Sequence, residues 1–165
     1  MLEMNFISIF LKLFSPEVIT ILVGASPISE LRGAIPLALG VFGFSPLRAF
    51  LFSWFGNLIP AIFLLIWLGP ISDFLSRHSL LAKKFFDWLF VRTRKKFSVN
   101  YETLGSIALI VFVAIPFPLT GVWSGSVAAF LFGFSKRRSF FLISLGAAIA
   151  GIIVTITSLG LLKVF

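Results

Sequence analysis

The fold is decided by residues 104–132, LGSIALIVFVAIPFPLTGVWSGSVAAFLF, where two apolar arms flank a proline-rich break. The arms cover 104–115 and 122–132, and at about 1.5 Å per helical residue neither crosses a hydrocarbon core of roughly 30 Å. Pro116 and Pro118 remove two amide donors and disfavour helical angles at the residues before them. The segment is therefore either one kinked span or a re-entrant hairpin that leaves the membrane on the side it entered.

Composition makes lipid the expected solvent for the whole chain. Of the 165 residues, 59% are hydrophobic and 12% are charged, and the mean hydropathy is +1.09, which is more apolar than a soluble domain of this length can cover. Residues 47–68 and 140–160 are each long enough to span, and Arg48 is the one charge within them. We therefore predict an all-α integral membrane protein, with residues 1–165 in a single membrane domain.

Positive charge is concentrated in two places. Ten of the 14 Lys and Arg residues lie within 72–100 or at 136–138, and basic clusters beside long apolar segments indicate a cytoplasmic face that contacts anionic lipid. A kinked span would put the two clusters on opposite faces, whereas a hairpin puts both on one face, as the positive-inside rule prefers. No base-reading module accompanies the charge, so nucleic acid is not an expected partner.

The first half of the chain has the same design. Residues 18–25 form a short apolar arm, 26–33 a polar break, and 34–44 a return arm that leads into the first span. Helix breakers are expected to interrupt the two hairpins at Pro27, Pro36, Pro116, Pro118 and Gly121.

An internal repeat follows from matches at fixed spacing. Gly43, Phe44, Ser45, Arg48, Phe50 and Gly56 recur 90 positions later as Gly133, Phe134, Ser135, Arg138, Phe140 and Gly146. Upstream, a spacing near 80 pairs Ala34, Ile35, Pro36 and Gly40 with Ala114, Ile115, Pro116 and Gly121.

These matches predict two copies, repeat 1 at 16–70 and repeat 2 at 103–162, joined by an amphipathic basic linker at 71–102 in the cytoplasmic interface. Each copy is a re-entrant helical hairpin followed by one transmembrane helix, which inverts the second copy relative to the first. Inverted repeats with broken helices are typical of secondary transporters.

Glu30 and Arg32 lie between arms too short to span, and they are the main candidate site. A charge at membrane depth costs about 2.5 to 3.5 kcal/mol on insertion scales, so it usually marks function. There Glu30 can carry a proton, while Arg32 binds an anion or balances the carboxylate. In a shallow hairpin both side chains would touch interfacial water instead. Two residues apart, they face different sides of a helix, so direct pairing requires a broken backbone.

Arg48 and Arg138 each follow a phenylalanine by four residues and open the two spans. Guanidinium groups at both mouths suit a phosphate or a carboxylate through paired hydrogen bonds. Alternatively they are ordinary lipid-facing anchors, as the neighbouring Lys136 and Arg137 are expected to be.

Asn57 lies in the first span near Pro60, which leaves the Gly56 carbonyl without its helical donor. The resulting kink either lines a cavity or serves interhelical packing. The chain has no cysteine and no motif for zinc, nucleotide phosphate or a serine nucleophile, so we expect no enzyme activity, no cofactor and no metal site.

The strings SELRGAIPLALG at 29–40 and AIPFPLTGVWSGSVAAFLFG at 114–133, with the basic linker between them, resemble the small multidrug export protein family of bacteria and archaea. That family is similar to the DedA (SNARE-associated, VTT) superfamily, in which an aromatic residue precedes an arginine by four. The resemblance implies a multi-pass protein of a prokaryotic cell membrane and proton-linked transport through an acidic residue at Glu30. DedA proteins carry further acidic residues near the first hairpin, whereas here only Glu30 is available.

Three functions are compatible with these features. One is proton-coupled export of a small molecule or lipid-linked anion, with Glu30 as the protonation site. Another is a flippase or scramblase for a polyprenyl-phosphate carrier held by Arg32, Arg48 and Arg138, and a third is a scaffold whose repeats only pack. The basic mouths favour an anionic cargo. Two full spans are too few to seal a pathway, which favours a homodimer.

Overall fold

The computed structural model describes residues 14–81, 83–84, 99–117 and 120–164. Six helices have defined bounds in this part: α1 Pro16–Ala25, α2 Glu30–Gly40, α3 Pro46–His78, α4 Val99–Ala114, α5 Val122–Leu131 and α6 Lys136–Val164. The prediction of an all-helical chain is confirmed for the described residues.

Two of these helices, α3 and most of α6, are long and apolar enough to cross a membrane. They contain the predicted spans at 47–68 and 140–160. Helix α3 continues to His78, so the first eight residues assigned to the linker belong to it. No glycine or proline follows Pro70 within α3, and Arg77 and His78 suit the negative end of the helix dipole. Residues 85–98, the centre of the predicted linker, lie outside the described part.

Large apolar side chains cover the outer surface of both long helices. The exposed fraction reaches 61% for Phe63, 56% for Trp67, 68% for Phe141 and 65% for Ile156. A water-soluble protein rarely leaves so many large apolar side chains uncovered. The pattern is expected where lipid surrounds the helices.

The chain divides into two compact units. In the described part, unit 1 comprises residues 14–58 and 150–164, and unit 2 comprises 59–81, 83–84, 99–117 and 120–149. Unit 1 therefore contains the α1–α2 hairpin with the first part of α3, and unit 2 contains the α4–α5 hairpin with the first part of α6.

The repeated Gly-Phe-Ser motif forms the joint between hairpin and long helix in each unit. Gly43 and Gly133 have φ angles of 63° and 73°, the left-handed conformation in which glycine commonly ends a helix. The next amide, of Phe44 or Phe134, donates back to an alanine carbonyl of the helix just ended. At Ser45 the hydroxyl accepts a hydrogen bond from an amide in the first turn of α3. The motif recurs because two turns of the same shape are needed.

A glycine in each long helix also allows very close packing against the preceding hairpin. A Cβ atom at Gly56 would lie 2.3 Å from the Ile21 carbonyl oxygen, and one at Gly146 would lie 2.8 Å from the Ile110 carbonyl oxygen. The glycines are 90 positions apart and the isoleucines 89. The same backbone contact is therefore made in both units.

The first hairpin differs from its predicted boundaries. Its break covers only residues 26–29, so Glu30 and Arg32 lie at the start of α2 rather than in a loop. The prediction that Pro36 breaks the helix is wrong, because Pro36 lies inside α2. It is exposed and deprives only the Arg32 carbonyl of a helical donor, so the helix continues past it. Pro27 does lie in the break.

The upstream repeat spacing of about 80 is also wrong. Ala34, Ile35 and Pro36 lie within α2, whereas Ala114 is the last residue of α4 and Ile115 follows it. Three apolar or breaking residues in a row are too common in such a sequence to fix an alignment. The contact of Gly56 with Ile21 in unit 1 and that of Gly146 with Ile110 in unit 2 instead give a sequence spacing of 89 between the first helices of the two hairpins.

The second hairpin is interrupted between α4 and α5. Pro116 lies in this non-helical segment, and Gly121 precedes α5 with a φ of 133°. The Thr120 hydroxyl oxygen lies 2.7 Å from the carbonyl oxygens of both Ile115 and Phe117, so a side chain holds the break together. Pro118 lies outside the described residues.

Candidate functional site

Glu30 is a buried carboxylate at the break of the first hairpin. It is 6% exposed and is the first residue of α2, and its amide donates to the Ser26 carbonyl at 3.0 Å. Its φ of 47° is a left-handed conformation that costs a non-glycine residue about 1 to 2 kcal/mol. Strain that the surrounding structure maintains in this way is often found at functional positions.

Arg32 pairs with this carboxylate. Its Nη2 atom lies 3.9 Å from Glu30 Oε2, at the long end of the ion-pair range. The left-handed backbone at Glu30 brings together two side chains that would diverge on a regular helix. The side chains of Glu30 and Arg32 are 9% and 27% exposed, so the carboxylate is the better shielded partner.

Buried polar side chains also occur where α1 meets α3. Asn57 is 1% exposed, and Ser53 and Thr20 are fully buried. The Thr20 hydroxyl donates to the Pro16 carbonyl at 2.7 Å, whereas Ser53 Oγ and Asn57 Oδ1 have no hydrogen-bond partner among the described residues. A buried unpaired polar group costs about 1 to 3 kcal/mol, so these two oxygens require an explanation.

Unit 2 is apolar at the corresponding positions. The repeat spacing pairs Thr20 with Leu109, and it pairs Ser53 and Asn57 with Ile143 and Ala147. Each of these three residues is buried. The two units share a backbone design, but this polar chemistry belongs to unit 1.

Arg48 lies at the start of α3 in unit 1 and forms an ion pair with Glu17 of α1. Its guanidinium carbon also lies 4.4 Å from the centre of the Phe44 ring and 5.9 Å from that of Phe52, in range for cation–π attraction. The expectation that Glu30 is the only acid near the first hairpin is therefore wrong, because Glu17 belongs to its first helix.

Arg138 has an equivalent position in unit 2 and is half-buried. Its Nη2 atom donates to the Ser106 hydroxyl at 2.9 Å, and its guanidinium carbon lies 5.3 Å from the centre of the Phe134 ring. Ser106 follows Glu17 by 89 positions, so the same position of the first hairpin helix supplies a partner to the arginine in each unit.

The structure thus groups some of the predicted site residues and separates others by unit. Glu30 and Arg32 meet in unit 1, Asn57 lies at the α1–α3 contact, and Arg48 lies at the start of α3, whereas Arg138 belongs to unit 2. Sequence reasoning missed four polar residues: Glu17, Thr20, Ser53 and Ser106. Only Ser53 had a local signal, since it precedes Asn57 by four residues on the same helix face. In the described residues no three His, Cys, Asp or Glu side chains come together.

Glu17 provides a prediction about pH. It lies in the first turn of α1, outside the candidate spans, and its own amide hydrogen bond, the Ser15 hydroxyl and Arg48 lower the pKa of its carboxyl below the usual 4.5. A lowered pKa stabilises the fold above the ordinary value, and this stabilisation is lost as pH falls through the lowered value. Parent protein in detergent should therefore unfold at a higher temperature than Glu17→Gln near neutral pH, and the difference should vanish in acid. A pH-independent difference would contradict this.

Comparison with known protein families identifies the family of this chain. The sequence model of the family described as “Putative small multi-drug export protein” matches residues 30–153, which is more than half of the chain. The chain therefore belongs to that family, as the strings at 29–40 and 114–133 predicted. Comparison with the curated proteins and with the solved structures found no match.

Proposed function

We propose that this member of the small multi-drug export family is a proton-linked membrane exporter in which Glu30 carries the proton. One observation carries the proposal: Glu30 is 6% exposed, strained at φ 47°, and paired with Arg32 at the break between two short helices. A shielded carboxylate beside one cation can exchange a proton for a charged group of the cargo. The family description supports export rather than catalysis.

The depth of the break in unit 1 supports a site inside the membrane. Glu17 pairs with Arg48 near the starts of α1 and α3, and Gly24 approaches Ser53, so the two helices run side by side. The ten residues of α1 rise about 15 Å, which is half of a hydrocarbon core of roughly 30 Å. If both helices start at one membrane surface, the break at 26–29 lies near the midplane, as a re-entrant hairpin requires.

Chain order supports inverted repeats. A re-entrant hairpin returns to its own side, α3 then crosses, the second hairpin enters from the opposite side, and α6 crosses back. Transporters with inverted repeats alternate access by rocking one repeat against the other. We extend this mechanism to the chain as a multi-pass protein of the cell membrane, with its basic segments on the cytoplasmic face.

A polyprenyl-phosphate flippase is the second candidate. The observation that favours it is the group of cations at the start of α6, where half-buried Arg138 stands beside exposed Lys136 and Arg137. Three cations at a helix N-terminus suit a phosphate group. The DedA-like fold, which would favour the same cargo, stays a prediction.

Reconstituted vesicles distinguish the candidates. Proton release from vesicles is followed with an internal pH dye after addition of a lipophilic drug cation. Exposure of a fluorescent polyprenyl phosphate is followed with an external quencher.

The exporter proposal expects drug-driven proton movement in the parent protein that survives Arg138→Ala. Carrier exposure that is lost in Arg138→Ala would favour the flippase instead. If the parent protein shows neither activity, the chain is a scaffold and the export proposal is wrong.

A further inference from the structure

We propose that Ser53 Oγ, Asn57 Oδ1 and the Gly56 carbonyl oxygen bind a sodium ion where α1 contacts α3. The proposal concerns ion binding, goes beyond Glu30 and its proton, and does not depend on the export proposal. It starts from the two buried oxygens that have no hydrogen-bond partner among the described residues.

The three oxygens belong to one face of α3. Ser53 and Asn57 are four residues apart and so are neighbours on the helix surface, with Gly56 beside them. This face packs against the last turn of α1, since a Cβ atom at Gly24 would lie 2.8 Å from the backbone carbonyl oxygen of Ser53 and 3.5 Å from the backbone nitrogen of Asn57. Bulk water is excluded, because Ser53 is fully buried and Asn57 is 1% exposed.

Pro60 explains why the third oxygen, the carbonyl oxygen of Gly56, is available. A residue at this position of a helix normally donates its amide to the carbonyl four residues earlier, but proline has no amide hydrogen. The Gly56 carbonyl therefore lacks its helical donor, although α3 continues through Pro60. A helix carbonyl that has lost its helical donor and lies beside two unpaired side-chain oxygens can coordinate a cation.

The end of α1 adds favourable electrostatics. Helix α1 ends at Ala25, and the C-terminal end of a helix carries about half a negative charge. Gly24 lies in this last turn, and a Cβ atom there would be 2.8 Å from the Ser53 carbonyl oxygen of α3. Half-helix C-terminal ends and unwound carbonyls coordinate sodium in transporters with broken helices.

The chemistry of the oxygens selects the ion. None of the three is a carboxylate that could balance the charge of a divalent ion, and none is an imidazole or a thiolate of the kind that transition metals prefer. None can take up a proton near neutral pH. Neutral oxygens around a buried position suit a hard monovalent cation. Unit 2 has Ile143 and Ala147 at the corresponding positions, so we expect one ion per chain.

Purified full-length protein in detergent provides the test. We expect sodium chloride, but neither potassium nor choline chloride at equal concentration, to raise the unfolding temperature, because an ion that binds the folded state stabilises it. Retention of radioactive sodium on the protein gives the affinity directly. Asn57→Ala and Ser53→Ala should each weaken it about tenfold or more.

Two further variants separate ion binding from packing. Pro60→Ala restores an amide donor to the Gly56 carbonyl, so it should weaken sodium binding even though it makes the helix more regular. Ser139→Ala is the matched control, because Ser139 is equally buried but its hydroxyl already donates to the Ser135 carbonyl. It should bind sodium like the parent.

The proposal is overturned if the parent shows no preference for sodium in either measurement, which would leave an ordinary buried water as the partner of these oxygens. It is also overturned if Pro60→Ala and Ser53→Ala bind sodium as tightly as Ser139→Ala. Sodium binding that persists in Glu30→Gln while proton movement is lost would show that the two proposals stand or fall separately.

Discussion

Glu30→Gln is expected to reduce proton-linked export to the level of empty vesicles while the protein remains folded. Glutamine has nearly the same shape and keeps hydrogen-bonding capacity, but it cannot carry a proton or a negative charge. In this variant the Arg32 guanidinium, which lies 3.9 Å from the Glu30 carboxylate in the parent, would face a neutral amide and not a negative charge. The measurement is drug-driven proton movement in vesicles, normalised to the amount of protein inserted.

Two companion variants show whether charge or backbone conformation matters at this position. Glu30→Gly removes the carboxylate but relieves the left-handed strain, so it should raise stability by up to about 1 kcal/mol and still abolish proton movement. Asp73→Asn makes the same chemical change at an exposed acid of α3 and should retain transport. Parental transport in Glu30→Gln would show that Glu30 is a structural residue.

Gly56→Ala is expected to give the largest loss of stability among single-methyl additions in the described residues. The new Cβ atom would lie 2.3 Å from the Ile21 carbonyl oxygen and under 3 Å from the Ile21 backbone carbons, so a helix and not a flexible side chain must move. Overpacking of this kind costs about 1 to 3 kcal/mol. The unfolding temperature in detergent should fall, and proteolysis of the first hairpin should accelerate.

Gly69→Ala in the same helix is the control for this loss. Beyond the local backbone of its own helix, no heavy atom of the described residues lies within 4 Å of the Cβ position at Gly69, so the better helix propensity of alanine, about 1 kcal/mol, is gained without a clash. Gly146→Ala should resemble Gly56→Ala, because its Cβ would lie 2.8 Å from the Ile110 carbonyl oxygen in unit 2. Equal stability for Gly56→Ala and Gly69→Ala would contradict the close contact.

Much of the fold could be predicted because it depends on local chemistry. Runs of apolar residues long enough to span gave α3 and α6, and the pair Pro116 and Gly121 marked a real interruption. The Gly-Phe-Ser motif marked the repeat in the sequence, and the structure shows that it forms the joint between hairpin and long helix in both units, since a left-handed glycine followed by a helix cap favours those residue types. Pro36 misled the prediction because a proline ends a helix only where its lost hydrogen bond is not compensated by the surrounding packing.

The site was less predictable because its partners are remote in sequence. Glu30 could be located from its charge between two short arms, and Arg32 from its proximity. The pairing of Arg48 with Glu17 and of Arg138 with Ser106 joins residues more than 30 positions apart, and neither pair leaves a local pattern. The burial of Ser53 depends on how closely α1 approaches α3. Two glycines permit this close approach, but their presence in the sequence does not predict it.

By itself the sequence determined the solvent, the two long helices and the two interrupted hairpins, because hydropathy and proline act over one or two turns of chain. Only the tertiary structure decided where the hairpins end and which charges are neutralised by neighbours. It also decided which polar atoms lack partners. These properties depend on helix-to-helix distances, which Gly24 and Gly56 set through backbone contacts in unit 1. The break that decided the fold lies in the second hairpin, whereas the buried acid and the unpaired oxygens lie in unit 1.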